Sequence, residues 1–319
     1  MNNENDVNLE DDYKNIVESA DNQGTTENTE EPKELGSVDM ERFSTQKAQD
    51  ADIHLGYHNV PTNTLPSAGL FYPSQTQITI RSAKVSEIRH FSTIDENNVL
   101  DVDAKLNSIV ESCVRVTSEK KVLSYKDLCE EDRFFLILSI RDLTFPEPEA
   151  SLKVDHIDKK GKKQEVPITK ENFQYFKIPA ELDKYYSEDS KSFLIETKSF
   201  GTIEMRPPSI GVMQRVTEYI KDRQQKGLPI DQSTLQIIPY MVSEWRGFNE
   251  KSIFDFEIEM EGWGNKKFNL IYTLAEKMKI GIQPNMLVSI GDAEEEVPIG
   301  FRDGIKSLFI VQDIAGELL

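Results

Sequence analysis

Four histidines, two cysteines and a few dense carboxylate runs are the residues of this 319-residue chain whose types could support catalysis or metal binding. His54 and His58 stand at i, i+4, the spacing at which a zincin helix presents two imidazoles to a metal. Between them lie Leu55-Gly56-Tyr57, so a glycine interrupts the helix and the glutamate that would act as base is missing. His90, beside Phe91, reads as a structural imidazole, and His156 ends a strand-like run. Cys113 and Cys129 form no CxxC pair and fall in helical segments as small core residues. No metal site is expected from these groups.

Phosphate chemistry lacks its loops, because neither GxxxxGK[ST] nor GxGxxG occurs. The GxSxG nucleophile elbow is absent too. Glu130-Glu131-Asp132 and Glu294-Glu295-Glu296 are adjacent runs, which a solvated turn or a helix start explains. Two carboxylates that meet only in space are not readable from spacing, so a glycosidase pair stays open. The expectation is a protein that is not an enzyme, with no cofactor and no small-molecule ligand. What remains is a set of aromatic and apolar side chains near polar segments. Leu70, Phe71, Tyr72, Ile78, Ile80, Trp245 and Trp263 are the candidate partner contacts, since aromatic anchors concentrate at protein interfaces. Core packing is the competing reading for each.

Composition narrows the partners. The net charge is −19, and residues 1–50 hold fourteen acids and four bases, which is −10 and leaves −9 for the rest. Such an acidic chain is unsuited to sequence-independent nucleic-acid binding, which needs cations to displace counterions. The densest basic run, Lys159-Lys160-Gly161-Lys162-Lys163, sits at an expected hairpin turn. The longest uncharged apolar run, Phe134 to Ile140, is far short of the ~20 residues of a membrane span. No basic-then-apolar leader opens the sequence, and two cysteines suit a reducing compartment. A soluble protein made in the cytoplasm is expected, without nucleic-acid or membrane partners.

The elements that must position these residues follow from period and punctuation. Residues 1–50 are expected to be a disordered acidic tail, a tether, a mask over a basic surface or a solubilising segment. Residues 51–75, with Pro61, Pro66 and Pro73, read as an extended arm. Over 76–148 comes a strand with Ile78 and Ile80 on one face, then a short helix capped by Ser86. A helix follows with Val102, Leu106, Ile109, Val110, Cys113 and Val114 in one stripe, then another from Ser124 to Pro146. Residues 149–206 change to short alternating runs, a β-rich insertion of two hairpins. Over 207–319 helical period returns, in Val212–Ile220, Leu235–Trp245, Phe254–Met260 and Lys266–Lys279. A small hairpin around Asp292 to Glu294 and a last amphipathic segment close the chain. The fold class expected is α+β, a mainly helical body with an N-terminal strand and a β-rich insertion.

Two separated motifs then carry a resemblance. Leu65, Pro66, Ser67, Gly69 and Tyr72 lead to Arg81; later come Asp132, Arg133, Ile140, Arg141, Leu143 and Thr144. In this order they resemble the baseplate hub and hub-assembly protein family of T-even-like contractile-tailed phages. The likeness covers about residues 65–145. Many relatives carry a cysteine pair soon after the Leu-Thr motif; here that region has none, so no zinc role is implied. The resemblance implies a non-enzymatic part of the tail tip, a structural subunit or an assembly chaperone. Its partners would be other tail or baseplate proteins, met in the virion or in the host bacterial cytoplasm. An acidic host-directed binding module is the alternative. The strand at Ile78 is expected to lie at a sheet edge and pair with a neighbour.

Overall fold

The computed structural model describes residues 56–119, 121–147, 151–157, 163–241, 250–290, 293–301 and 304–310. Contacts divide the chain into Met1–Gln49 and Asp50–Leu319, and all described residues belong to the second unit. The expected acidic tail, His54 and Trp245 lie outside them. Helices and antiparallel sheets make this unit an α+β structure.

The first sheet begins where the alternating run predicts. In β2 (Gln77–Ile80), Ile78 and Ile80 are buried, while Gln77 is exposed and Thr79 partly so, on the other face. β1 (His58–Val60) pairs with it on one side and β3 (Val114–Ser118) on the other, and β4 (Lys121–Val122) completes the order β1-β2-β3-β4. β2 is therefore an interior strand with both ladders occupied, which corrects the expectation that it offers an edge. The edge on that side is β1, inside the stretch expected to be an extended arm.

Helix α1 (Val85–Ser92) starts earlier than the sequence suggests, because Glu87 accepts the Lys84 N–H at 2.7 Å and caps the turn before Ser86. Asn98 caps α2 (Val99–Cys113), accepting from Leu100 N at 3.1 Å. The helical stripe ends at Cys113; Val114 and Val116 pass instead into β3, as its buried face. Ser124 and Asp127 cap as expected, but over a single 3-10 turn, Tyr125–Asp127. The chain then runs extended, since Leu128 O accepts from Ile210 N at 2.8 Å and Glu130 N donates to Pro208 O at 2.9 Å. Helix α3 (Glu130–Thr144) starts only after that, so Cys129 is its N-cap residue rather than part of the helix.

The expected hairpins are present as β5 (Leu152–Ile157) with β6 (Lys163–Ile168), and β9 (Ser192–Thr197) with β10 (Gly201–Met205). β8 (Tyr186–Ser187) adds to β9. β7 (Phe173–Tyr175), however, joins β11 (Ile282–Ile290) and β12 (Ala293–Pro298) in a sheet ordered β12-β11-β7, with Phe173 opposite Met286. The β-rich stretch and the C-terminal region thus share a sheet.

Helix α4 (Ile210–Gln225) starts at Ser209, whose hydroxyl accepts from Val212 N at 3.2 Å. The helix expected over Leu235–Trp245 is shorter: α5 (Gln232–Ile237) gives way to a 3-10 turn, Ile238–Tyr240, at Pro239. Helices α6 (Glu250–Glu261) and α7 (Asn265–Lys277) flank the expected Gly262-Trp263-Gly264 turn. A last 3-10 turn, Ile305–Leu308, seats Phe309 edge-on against Phe91 at 5.1 Å.

Candidate functional site

The two separated motifs meet at one carboxylate. Asp132 lies in the first turn of α3 and is fully buried, at 0% exposure. Its Oδ2 accepts from Ser67 Oγ at 2.5 Å and from the Tyr72 hydroxyl at 2.6 Å, and its Oδ1 accepts from Ser67 N at 2.8 Å. The Tyr72 oxygen in turn accepts from Cys129 N at 3.0 Å, and Ser67 Oγ accepts from Gly69 N at 3.2 Å. All donors on Asp132 come from the Leu65–Tyr72 stretch, so one side chain satisfies the polar groups of a loop that would otherwise be buried without partners.

That loop is built to deliver them. Ala68 N donates to Leu65 O, Leu70 N to Ser67 O and Tyr72 N to Gly69 O, which makes three overlapping turns. Ala68 and Gly69 take positive φ, 51° and 78°. At Gly69 a Cβ would stand 3.0 Å from the Thr62 side chain, so this position needs glycine for space as well as for backbone freedom.

Three further motif residues are also ties. Arg81 forks onto Glu87 at 2.6 and 2.9 Å, and donates to Ser112 O at 2.7 Å and Ser82 O at 2.8 Å. Arg133 bridges Glu130 at 2.6 Å and Asp103 at 2.5 Å, and donates to Asn107 at 2.8 Å. Thr144 Oγ1 accepts from Ala83 N at 2.9 Å while donating back to Ile140 O, so α3 is pinned at its far end to the segment after β2. Leu65, Ile140 and Arg141 are buried.

Burial sets the electrostatics of the α3 start. It pushes Asp132 up to about 6, against the hydrogen bonds from Ser67 and Tyr72 that favour its charge. Burial likewise raises Glu130 to about 7, opposed by Arg133, and Glu131 to about 7, reinforced by the Asp132 charge. Glu131 packs so closely on the chain at Gly281 that a Cβ there would stand 2.2 Å from its Oε2. The Glu130-Glu131-Asp132 run is therefore a helix start, as expected, but an enclosed one rather than a solvated one. Cys129 and Tyr72 are held far above their ordinary ranges, first by burial and then by the Asp132 charge.

Of the candidate partner contacts, four are spent inside the chain. Phe71 packs edge-on against Tyr186 and Phe193, at 6.4 and 5.9 Å, while Tyr72, Ile78 and Ile80 are buried in the same core. This corrects their reading as partner contacts: hydrophobic burial within one chain has already used these side chains. Leu70 is at the surface, its carbonyl accepting from the Tyr186 hydroxyl. Trp263 is partly buried, edge-on to Phe256 at 5.6 Å and under Lys267 Nζ at 4.0 Å.

A groove of about 490 Å³ beside β1 is lined by His58, Ser139 and Asp142, together with Phe135 and Lys170. These residue types suit hydrolysis, but the geometry does not. Ser139 Oγ donates to Phe135 O at 2.9 Å, and no hydrogen bond among the described residues joins Ser139 to His58 or His58 to Asp142. No group of three His, Cys, Asp or Glu among the described residues is placed to hold a metal ion. No helix among them is long and apolar enough to cross a membrane. What the sequence does not disclose is the joining of Ser67 and Tyr72 to Asp132; its one local signal is an Asp-Arg pair placed before a long apolar run.

The chain matches no protein-family model, no curated protein and no solved structure.

Proposed function

We propose that this chain is a non-enzymatic bacteriophage tail protein of the baseplate-hub class, acting through protein–protein contacts as a structural subunit or as an assembly factor. The observation that carries the reading is the Asp132 junction. The two motifs that resemble the hub family are physically one unit, with Ser67 and Tyr72 of the first held by Asp132 of the second. A likeness made of two motifs gains weight when its residues contact one another, because chance matches at distant positions have no reason to meet. Ser67, Tyr72, Arg81, Asp132, Arg133 and Thr144 of the motifs tie distant or adjoining chain segments together, which suits a rigid building block.

Under this reading the protein is found in the virion, at the tail tip, or in the host cytoplasm during assembly. The acidic first fifty residues then act as a polyanion that shields a basic surface on a partner before assembly. Mass spectrometry of purified virions and of tail-assembly intermediates from infected cells tests it. Presence in both identifies a structural subunit, and presence in intermediates alone identifies an assembly chaperone. Absence from both, with host nucleoproteins co-purifying instead, overturns the reading in favour of an acidic host-directed module.

A further inference from the structure

Helix α6 presents an apolar face that nothing in the described chain covers. Phe254 is 48% exposed and Ile258 52% exposed, one helical turn apart, while Ile253 and Met260 turn inward. The rim of this stripe is acidic. Asp255, Glu259 and Glu261 are all exposed on the same helix, and among them only Glu259 has a cation within 4 Å in the described residues, Lys267 Nζ at 3.9 Å. Alongside runs a groove of about 310 Å³, lined by Pro229, Met260 and Phe268 with Asp231, Glu257, Glu261 and Arg223, which pairs with Glu257 at 3.6 Å. An apolar floor with three acids against one base suits the methylene stem and charged head of a long basic side chain.

Charge decides what can lie there. The segments of this chain outside the described residues are poor candidates. Residues 1–55 carry −11 (fifteen acids, four bases), 311–319 carry −2, and 242–249 hold one acid and one base; the one basic stretch, 158–162 at +2, is five residues joining β5 to β6, too short to form an amphipathic helix. A second copy of the same face would set acid against acid. Nucleic acid and anionic lipid are excluded by the same sign. We propose that α6 docks an amphipathic helix of a partner protein, with apolar residues seated on Phe254 and Ile258 and Lys or Arg flanking them over Asp255, Glu259 and Glu261. The mode is a helix laid on an apolar stripe with a charged rim that fixes orientation. The proposal does not depend on the tail-protein reading above.

The test uses the full chain and a fluorescent synthetic helix of leucine and lysine, ~18 residues or about five turns, with a leucine–glutamate helix of the same apolar pattern as its counterpart. The wild-type chain is expected to bind the lysine helix and not the glutamate helix. Phe254→Gln with Ile258→Gln should weaken binding at least about tenfold. The same change at two exposed apolar sites elsewhere, Val85→Gln with Val99→Gln (67% and 78% exposed), should leave it unchanged. Glu259→Gln with Glu261→Gln should weaken it and flatten its salt dependence. Circular dichroism confirms that each variant is folded.

Equal weakening by both apolar pairs, or equal binding of the two peptides, overturns the proposal. So does binding that appears only after Trp245→Ser with Phe248→Ser, which would make residues 242–249 the occupant. Concentration-dependent self-association lost in Phe254→Gln with Ile258→Gln overturns it as well, in favour of a second copy.

Discussion

Tyr72 donates its hydroxyl hydrogen to Asp132 Oδ2 at 2.6 Å, across sixty residues of chain, and its oxygen accepts the Cys129 N–H at 3.0 Å. One phenol therefore links a turn-rich loop to both the carboxylate and the backbone at the start of α3. Removing either partner leaves buried groups without bonds. Asp132→Ala strands three neutral donors, each worth ~1 kcal/mol or more when left unsatisfied, and should cost ~3 kcal/mol or more. Tyr72→Phe should cost ~1–3 kcal/mol. The double variant should lose less than the sum, by ~0.5–3 kcal/mol. Urea denaturation measures all three, and an Asp132→Ala loss under ~1 kcal/mol would contradict the junction.

The carboxylates at the α3 start make stability depend on pH. Asp132, at about 6, and Glu130 and Glu131, at about 7, all lie above the ~4 of an unfolded carboxylate. The folded state then binds more protons between those values, so stability falls as pH rises through them. The penalty is absent below ~4 and complete above ~7. Glu87, held down to about 2 first by its hydrogen bond from Arg81, acts in the opposite sense. Its stabilisation is present above ~4.5 and is lost as pH falls toward 2. Thermal unfolding should give a higher Tm near pH 5.5 than near 7.5, and Glu131→Gln should flatten that slope. An unchanged slope in the variant assigns the effect elsewhere.

Gly69 and Gly201 both take positive φ, 78° and 72°, but only Gly69 is crowded. Gly201→Ala meets open space and should cost ~1–2 kcal/mol from backbone strain alone. Gly69→Ala adds the contact with Thr62 at 3.0 Å and should cost clearly more. Paired denaturation curves compare them; equal losses would mean that Thr62 yields freely.

Arg81 holds Glu87 and the Ser82 and Ser112 carbonyls at once. Arg81→Ala should cost ~3 kcal/mol, because it leaves a largely enclosed carboxylate without its cation. Arg81→Lys should recover only part of that, since an ammonium cannot reproduce the fork.

Both thiols are enclosed, and burial pushes Cys113 up to about 12. A thiol-reactive dye at about pH 8 should label neither cysteine in the folded chain and both in urea. Rapid labelling of native protein would contradict their burial.

Much of the local structure is legible in the residues. The alternation of Ile78 and Ile80 becomes β2, the stripe from Leu106 to Cys113 becomes α2, and Gly262-Trp263-Gly264 becomes a turn between helices. Where the reading slips, a distant partner is the cause. The helix expected from Ser124 waits until Glu130 because Pro208 and Ile210 bond the intervening backbone. Val114 and Val116 fit both a helical stripe and a strand face, and the pairing with β2 chooses the strand.

Sequence alone determined most of the helical and alternating segments, where prolines and glycines turn the chain, and how its acids are distributed, because these depend on neighbours a few positions apart. Only the tertiary structure decided that Phe71 and Tyr72 face inward, that β2 is an interior strand, and that Asp132 holds Ser67 and Tyr72. An aromatic next to prolines serves an interface or a core equally well by composition. Which one it serves depends on whether the rest of the chain brings a surface to it, and here Tyr186, Phe193 and α3 do.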